Sequence, residues 1–493
     1  MKNNLPKPPS LLKMLGPSFI LLGLGLGSGE LILWPGLVSQ YGLGIIWGAL
    51  LGITFQFFIN MEIERYTLIT GESIFAGFYR ILKRFSPLWF IFSTLIPWMW
   101  PGIIASSGLI FANILGVSYT SLIPIILLIF SGVILTLGPV IYKTQEIFQK
   151  TLLLIGVPFI LFLVFIMSEK SDFIELARGL FGQGDGYSFI PLGISFATLL
   201  GAFAYSGAGG NLNLTQSFYN SIQEHSAIHC GDELNADMSS SFGGIPRSLE
   251  RGGCHIKEKG YGMGKHFGKL TSILTGKKEK IEIFGRPFSD TTENRKLYKI
   301  WWKRINIEHF AIFWLTGLLT ILSLALLAFT TAYGKNNLNE GISFIFVESS
   351  LISQNFMPFL GISFLVVCTL FLFSTQFSVL DATSRIMSEN LVIFSPKKFN
   401  PQKLRIYYYI FLWVQILMGI VIFSLGMTEP FKLVVTGAIL NAFAMFFYSG
   451  FLLWLNNTKL NKTLRPSLIR NVFVVCAFIF YGVFSFITIT KIL

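Results

Sequence analysis

The residue most able to do chemistry in this chain is Glu30, a lone carboxylate inside the apolar stretch LLGLGLGSGELILWPG at residues 21–36. It directly follows Gly27-Ser28-Gly29, where the helix signal fails. A charge in the middle of a membrane helix costs roughly 2.5–3.5 kcal/mol on insertion scales, so such an acid faces a cavity, a partner or a cation. A second polar patch, GAFAYSGAGGNLNLTQSFY at 201–219, has Gly207, Gly209 and Gly210 to loosen the helix, with Ser206, Asn211, Asn213, Thr215 and Gln216 close by. The donors in the two patches are all oxygen: one carboxylate, amide carbonyls, hydroxyls and the backbone carbonyls that unwinding would free. Oxygen donors suit harder cations such as Mg2+ or Mn2+, and equally Na+ or the amine of an organic solute. Either glycine patch alone reads as close helix packing; two together suggest a binding site between broken helices.

Other polar positions have simpler readings beside functional ones. Asp381 is spaced to pair with Arg385 at i+4, or to belong to an ion exit path. Glu62 and Glu64 with Arg65 suggest an internal salt-bridge network. Glu146 either stabilises a helix N-terminus or joins a gate. Asn441, Gln376 and Ser374 are candidates for a site-facing role or for interhelical hydrogen bonds.

These residues need a frame, and the composition supplies it. The 493-residue chain is 53% hydrophobic and 13% charged, about half the charge expected of a soluble protein. Apolar runs long enough to cross a bilayer recur throughout, and eleven spans are expected: 14–35, 42–64, 87–115, 120–141, 146–168, 189–219, 308–333, 353–384, 404–427, 431–455 and 468–490. With the N-terminus in the cytoplasm, 33 of the 38 Lys and Arg fall on inside segments, as the positive-inside rule requires. The net charge of +13 therefore reads as topology and contact with anionic lipid, not a nucleic-acid surface. Trp301-Trp302 and the Trp residues of PWMWPG at 97–102 fit interfacial anchors.

The expected organisation is a cytoplasmic tail at 1–13, spans one to six within 14–220, a polar cytoplasmic loop at 221–306 and spans seven to eleven within 307–493. The loop holds His225, His229-Cys230 and Cys254-His255, a spacing that permits a zinc site but lacks a motif to fix its geometry. The four cysteines show no CxxC pair. There is no GxxxxGK[ST] motif and no nucleophile–base constellation, so neither an ATP-driven pump nor an enzyme is expected, and no cofactor.

At these residues the chain resembles the Nramp superfamily, proton-coupled divalent-metal transporters, and more closely a divergent bacterial Nramp-like branch that lacks the usual metal-ligand motifs. The resemblance rests on GPSFILLGLGLGSGELILWPGLVSQYGLGIIWGALL, on NMEIERYTLITGE (60–72), AYSGAGG (204–210) and KEKGYGMGKHFGKL (257–270), and on YKTQEIF (142–148) and STQFSVLDATSRIMSENL (374–391). It covers nearly the whole chain except about 220–255, which reads as an insertion. It implies an all-α polytopic membrane protein of LeuT-like fold: two inverted five-helix repeats plus an eleventh helix, with helices one and six discontinuous.

The family's metal ligands are replaced here. Asp-Pro-Gly-Asn of helix one matches Gly27-Ser28-Gly29-Glu30, and Met-Pro-His of helix six matches Gly209-Gly210-Asn211. Losing the thioether and the histidine argues against simple transfer of a soft-metal preference. The expected function is a secondary active transporter of a divalent cation, coupled to protons, in a bacterial inner membrane with its C-terminus outside. Glu30 and Asn211 would be metal ligands, with Gly27, Ser28, Ser206, Gly209 and Asn213 lining the site, and Glu146, Gln376, Asp381 and Asn441 coupling or gating. The partners are the transported species and membrane lipid. A transporter of a small organic solute driven by H+ or Na+, and a membrane sensor signalling through the 221–306 loop, are the alternatives.

Overall fold

The structure is a computed structural model that describes residues 4–10, 17–137, 141–221, 263, 284–335 and 341–492, apart from the side chains of 17, 20, 141–147, 219–221, 491 and 492. From residue 222 on, the expected 220–255 insertion with its His and Cys residues lies outside this description, as does the side chain of Glu146. Nearly everything described is helix. Its single sheet is a hairpin of Gln183–Gly184 against Tyr187–Ser188.

The first span is interrupted. Helix α1 (Pro17–Gly25) gives way to a turn at Leu26–Ser28, a π-helical turn (Gly29–Leu33) and then α2 (Trp34–Tyr41). Pro35 sits in the first turn of α2, where its missing N–H is harmless, so the span runs on beyond the expected 35. It stops at Gly42, whose φ of +77° suits glycine. The second span is α3 (Trp47–Thr70), followed by the short α4 (Ile74–Leu82). The third is α5 (Phe85–Trp98) with α6 (Gly102–Leu115), the fourth α7 (Leu122–Leu137) and the fifth α8 (Ile141–Met167). Helix α9 (Lys170–Gly179) and the hairpin lead into the sixth span.

That span is interrupted too, as α10 (Phe196–Ala204), an unwound stretch, a 3-10 turn (Gly210–Thr215) and α11 (Gln216–Ser221). It begins later than the expected 189, because the hairpin and its positive-φ glycines, Gly182, Gly186 and Gly193, occupy the preceding residues. The seventh span passes from α12 (Thr292–His309) through a π-helical turn (Phe310–Leu315) into α13 (Thr316–Thr331). A separate helix, α14 (Phe344–Asn355), precedes the eighth span. Pro358 then starts α15 (Pro358–Phe394) at a position proline favours, which corrects the expected start at 353. Helices α16 (Leu404–Ser424), α17 (Pro430–Lys459) and α18 (Leu468–Ile492) complete the chain.

Eight described helical stretches are long and apolar enough to cross a membrane. The sixteen-residue α7 and the two interrupted spans bring the number to eleven.

The ends of the spans that carry most of the basic residues are tied together; we call this the basic end. Arg65 Nε donates to Glu62 Oε2 at 2.7 Å, and Nη1 reaches the Tyr298 hydroxyl at 3.0 Å and the Leu464 carbonyl at 3.3 Å. Arg470 donates to Asn306 Oδ1 at 2.5 Å and approaches Glu62 at 3.5 Å. The Trp302 ring lies under both guanidiniums, 4.1 Å and 4.8 Å away. Trp301 is no interfacial anchor: it is buried, and its Nε1 donates to the Pro6 carbonyl at 2.7 Å. With Leu5 N on Asn294 Oδ1 (3.1 Å) and Arg304 on the Pro8 and Pro9 carbonyls, this straps residues 5–9 along α12.

Candidate ion-binding site

The two interruptions meet backbone to backbone. A Cβ on Gly25 would lie 2.7 Å from the Gly207 carbonyl carbon, and one on Gly29 would collide with the Tyr205 carbonyl oxygen. Glycine is needed at both because only a residue without Cβ allows so close an approach. On the other side of the first break, a Cβ on Gly27 would meet Thr375 of α15 at 2.6 Å. Gly209 and Gly210 of the sixth span have φ of +74° and +53°, so the unwound stretch is built from residues that tolerate left-handed backbone.

Glu30 lies in the π-helical turn and is fully buried. Its Oε2 accepts from Thr320 Oγ1 at 2.6 Å, whereas Oε1 has no hydrogen-bond partner among the described residues. The carboxylate faces α13: a Cβ on Gly317 would stand 3.6 Å from Oε1, with Leu22 and Ile53 nearby.

The polar residues of the sixth span repeat one pattern. Asn211 Nδ2 donates to Ser93 and Thr94 of α5 at 2.8 and 2.9 Å, and its Oδ1 has no partner. Asn213 Nδ2 donates to the Tyr448 hydroxyl at 2.9 Å, and again Oδ1 has none. Asn441 of α17 donates to the Tyr205 hydroxyl at 2.9 Å; its unpartnered Oδ1 is where a Cβ on Gly210 would clash. Ser206 Oγ donates to the Ala202 carbonyl and accepts from Trp34 Nε1, both at 2.9 Å. Ser28 is buried at the first break. Among the described residues, then, four buried oxygens around the two breaks (Glu30 Oε1 and the Oδ1 atoms of Asn211, Asn213 and Asn441) lack a donor. Buried polar groups in folded proteins are nearly all satisfied, and leaving one unmet costs about 1–3 kcal/mol. What these atoms can accept is a cation or an N–H or O–H donor.

Asp381, Gln376 and Ser374 all lie on α15. Asp381 accepts from Arg385 Nε at 2.9 Å and from the Tyr408 hydroxyl at 2.7 Å, facing α16. Gln376 is buried on α15, and the Ser374 hydroxyl there has no partner. Glu30 and Asn211 point to different helices, α13 and α5. Among the described residues no three His, Cys, Asp or Glu side chains cluster so as to hold a metal ion.

Several contributors carry no sequence signal of their own. Thr320 Oγ1 also lies 2.8 and 2.9 Å from the Thr316 and Gly317 carbonyls, which compete with Glu30 for its one proton; such back-bonding makes threonine unremarkable in a membrane helix. Gln56 of α3 has more signal, because Gln56, Asn60 and Glu64 fall at i, i+4 and i+8, on one face of the helix. Gln56 Nε2 donates to the Ala204 carbonyl at 3.0 Å and its Oε1 accepts from Gly209 N at 3.3 Å, bracing the unwound stretch. Both amide atoms of Asn60 are buried without partners, and Glu64 accepts from Gln216.

A cavity of about 490 Å³ opens at the end opposite the basic one. It is lined by Gly36, Gln40 and Tyr41 of the first span, Ser195 and Thr198 of the sixth, and Phe431 and Lys432 of α17. At the basic end the Glu62–Arg65–Arg470 network closes the same bundle.

No known family profile and no curated protein matches this sequence. Solved structures do match. A point mutant of the Eremococcus coleocola manganese transporter superposes with a TM-score of 0.66 at 10% identity, covering 99% of this chain and 90% of that one. The same transporter in complex with an aromatic bis-isothiourea substituted compound gives 0.63 at 11% identity over the same shares. Mhp1, a nucleobase-cation-symport-1 family transporter in a closed conformation with bromovinylhydantoin bound, gives 0.52 at 12% identity, covering 98% and 94%. The chain therefore has the LeuT-like fold of these membrane transporters.

Proposed function

We propose that this protein is a secondary active transporter that moves a divalent cation by alternating access, coupled to protons. The observation that supports it best is the set of buried acceptor oxygens left without donors at the two breaks, one of them on a carboxylate. A cation satisfies such atoms and neutralises Glu30 at once. Oxygen ligands without sulfur or imidazole suit Mg2+ or Mn2+ better than softer metals. Likeness to a manganese transporter in fold agrees with this cargo. Glu30 is both a ligand and the carboxylate able to hold a proton when the cation is absent. The basic end faces the cytoplasm of a bacterial inner membrane, because basic residues are retained there; the 490 Å³ cavity is then the entry from outside.

Uptake of Mn2+ and Mg2+ into proteoliposomes, read by a metal-sensitive dye, tests the reading. Wild type should accumulate one of them and Glu30→Gln should not. Uptake by Glu30→Gln at the wild-type rate would remove Glu30 from the site.

A second reading is favoured by the same oxygens, which accept N–H groups as well as metal ions. In that case an organic ammonium or amide solute is carried with H+ or Na+, and no metal accumulates in the assay.

A further inference from the structure

The basic end carries a charge that the described residues do not balance. Glu62 is paired with two guanidiniums, those of Arg65 at 2.7 Å and Arg470 at 3.5 Å, so one negative charge stands against two positive ones. The other side chains bonded to this group, Tyr298, Asn306 and Asn456, are uncharged amides and a phenol. Arg65 directs its donors to Glu62, Tyr298 and the Leu464 carbonyl. Arg470 is less well provided. A guanidinium has five N–H donors, and among the described residues only Asn306 and the Glu62 oxygen at 3.5 Å accept from it. Its side chain is 17% exposed, against 6% for Arg65.

The depth of this charge limits what can meet it. Helix α18 runs Leu468–Ile492, about 37 Å at 1.5 Å per residue, whereas the hydrocarbon core of a bilayer is about 30 Å thick. Arg470 stands in the first turn, at the level of the lipid headgroups. Its neighbours Leu468, Ile469 and Val472 are exposed apolar residues, which suits a turn that faces lipid.

One turn deeper than Asn306, Glu62 and Arg470, the same three spans present a continuous aromatic strip. Phe310 of the seventh span lies 6.2 Å from Phe57 of α3, Phe57 lies 5.4 Å from Phe58, and Phe58 stacks on Phe473 of α18 at 4.0 Å. Phe310 is exposed and the other three are half-buried, so the strip is surface rather than core. The Arg470 guanidinium sits at its edge, 5.8 Å from the Phe58 ring, with Trp302 behind it at 4.8 Å. A cation joined to an apolar strip at headgroup depth matches a molecule with one anionic head and long apolar chains. A water-soluble anion would meet the charge and leave the strip bare.

We propose that Arg470 and this strip bind one anionic phospholipid of the leaflet at the basic end. The phosphodiester takes the open side of the Arg470 fork, a geometry that guanidinium suits, and supplies the missing negative charge. An acyl chain lies across Phe473, Phe58, Phe57 and Phe310 and so joins α18, α3 and the seventh span. A zwitterionic lipid brings its phosphate with a cation attached, which Arg470 and Arg65 repel. The site does not depend on what the protein transports.

Native mass spectrometry of the detergent-purified full-length protein tests this, with palmitoyl-oleoyl phosphatidylglycerol titrated against phosphatidylcholine of the same chains. Wild type should bind the first phosphatidylglycerol at least fivefold more tightly, about what one Lys or Arg contributes near an anionic lipid surface. Arg470→Gln should bring the two lipids to within about twofold of each other. Equal binding of both lipids by wild type, or an unchanged preference in Arg470→Gln, would overturn the proposal. Should Arg470→Gln not fold, a phosphatidylglycerol with a photoreactive acyl chain decides the matter in wild type. Label mapped by peptide mass spectrometry to the segments holding Phe57, Phe310 or Phe473 supports the site, and label confined to other spans overturns it.

Discussion

Thr320 donates its hydroxyl to one oxygen of the Glu30 carboxylate at 2.6 Å, and the other oxygen is left without a partner among the described residues. The acid is thus held at one end and available at the other. Thr320→Val keeps the shape and removes the donor. A hydrogen bond to a charged group is worth about 1.5–3 kcal/mol, so KM for the transported cation should change at least several-fold while transport survives. Uptake kinetics against Glu30→Gln, which should abolish transport, separate orientation from ligation.

The contacts of Gly25 and Gly29 with the sixth span leave no room for a methyl group. Gly29→Ala should be the more damaging, because the added carbon meets the Tyr205 carbonyl oxygen itself. Overpacking typically costs about 1–3 kcal/mol. A lowered unfolding temperature together with lost transport is expected, read by thermal denaturation and uptake on the same preparation.

Removing one partner of a buried ion pair costs about 3–5 kcal/mol, whereas replacing both with apolar residues is far milder. Arg65→Ala should therefore destabilise the protein strongly, since Glu62 loses its 2.7 Å partner. The double substitution Glu62→Leu with Arg65→Met should recover most of the unfolding temperature. Failure to recover it would show that Arg470, Tyr298 and Asn456, which also bond this network, depend on the charges.

Asp381 is bonded to Arg385 and Tyr408, away from the helix breaks. Asp381→Asn should accordingly reduce yield and thermal stability while leaving KM for the cation within about twofold. A large change in KM with normal stability would instead give Asp381 a place on the transport path.

What the sequence made legible followed from contrast. Glycines and oxygen-bearing side chains stand out in apolar spans, so both breaks, Glu30 and the polar run from Ser206 to Gln216 are legible in the sequence alone. Side-chain direction was not visible. Nothing in the composition turns Glu30 toward Thr320 and Asn211 toward Ser93 and Thr94; that depends on how the unwound backbone rotates its residues, which periodicity describes only for regular helix. The aromatic strip beside Arg470 is hidden for another reason: its members come from three spans, and none stands out among 50 Phe. Trp301 was misread because an aromatic pair beside charges suits a lipid interface as well as the docking of residues 5–9.

That docking sets a mechanical limit. Residues 5–9 are fastened to α12, and seven peptide links separate Ser10 from Pro17 at the start of α1. Fully stretched, those links span at most about 25 Å, so the fastened tail acts as a leash on the free end of α1. The excursion of that end has a ceiling fixed by chain length rather than by any contact in the bundle. If the proposed function holds, shortening the leash within residues 11–16 should lower that ceiling, slowing uptake while leaving the KM for the cation unchanged.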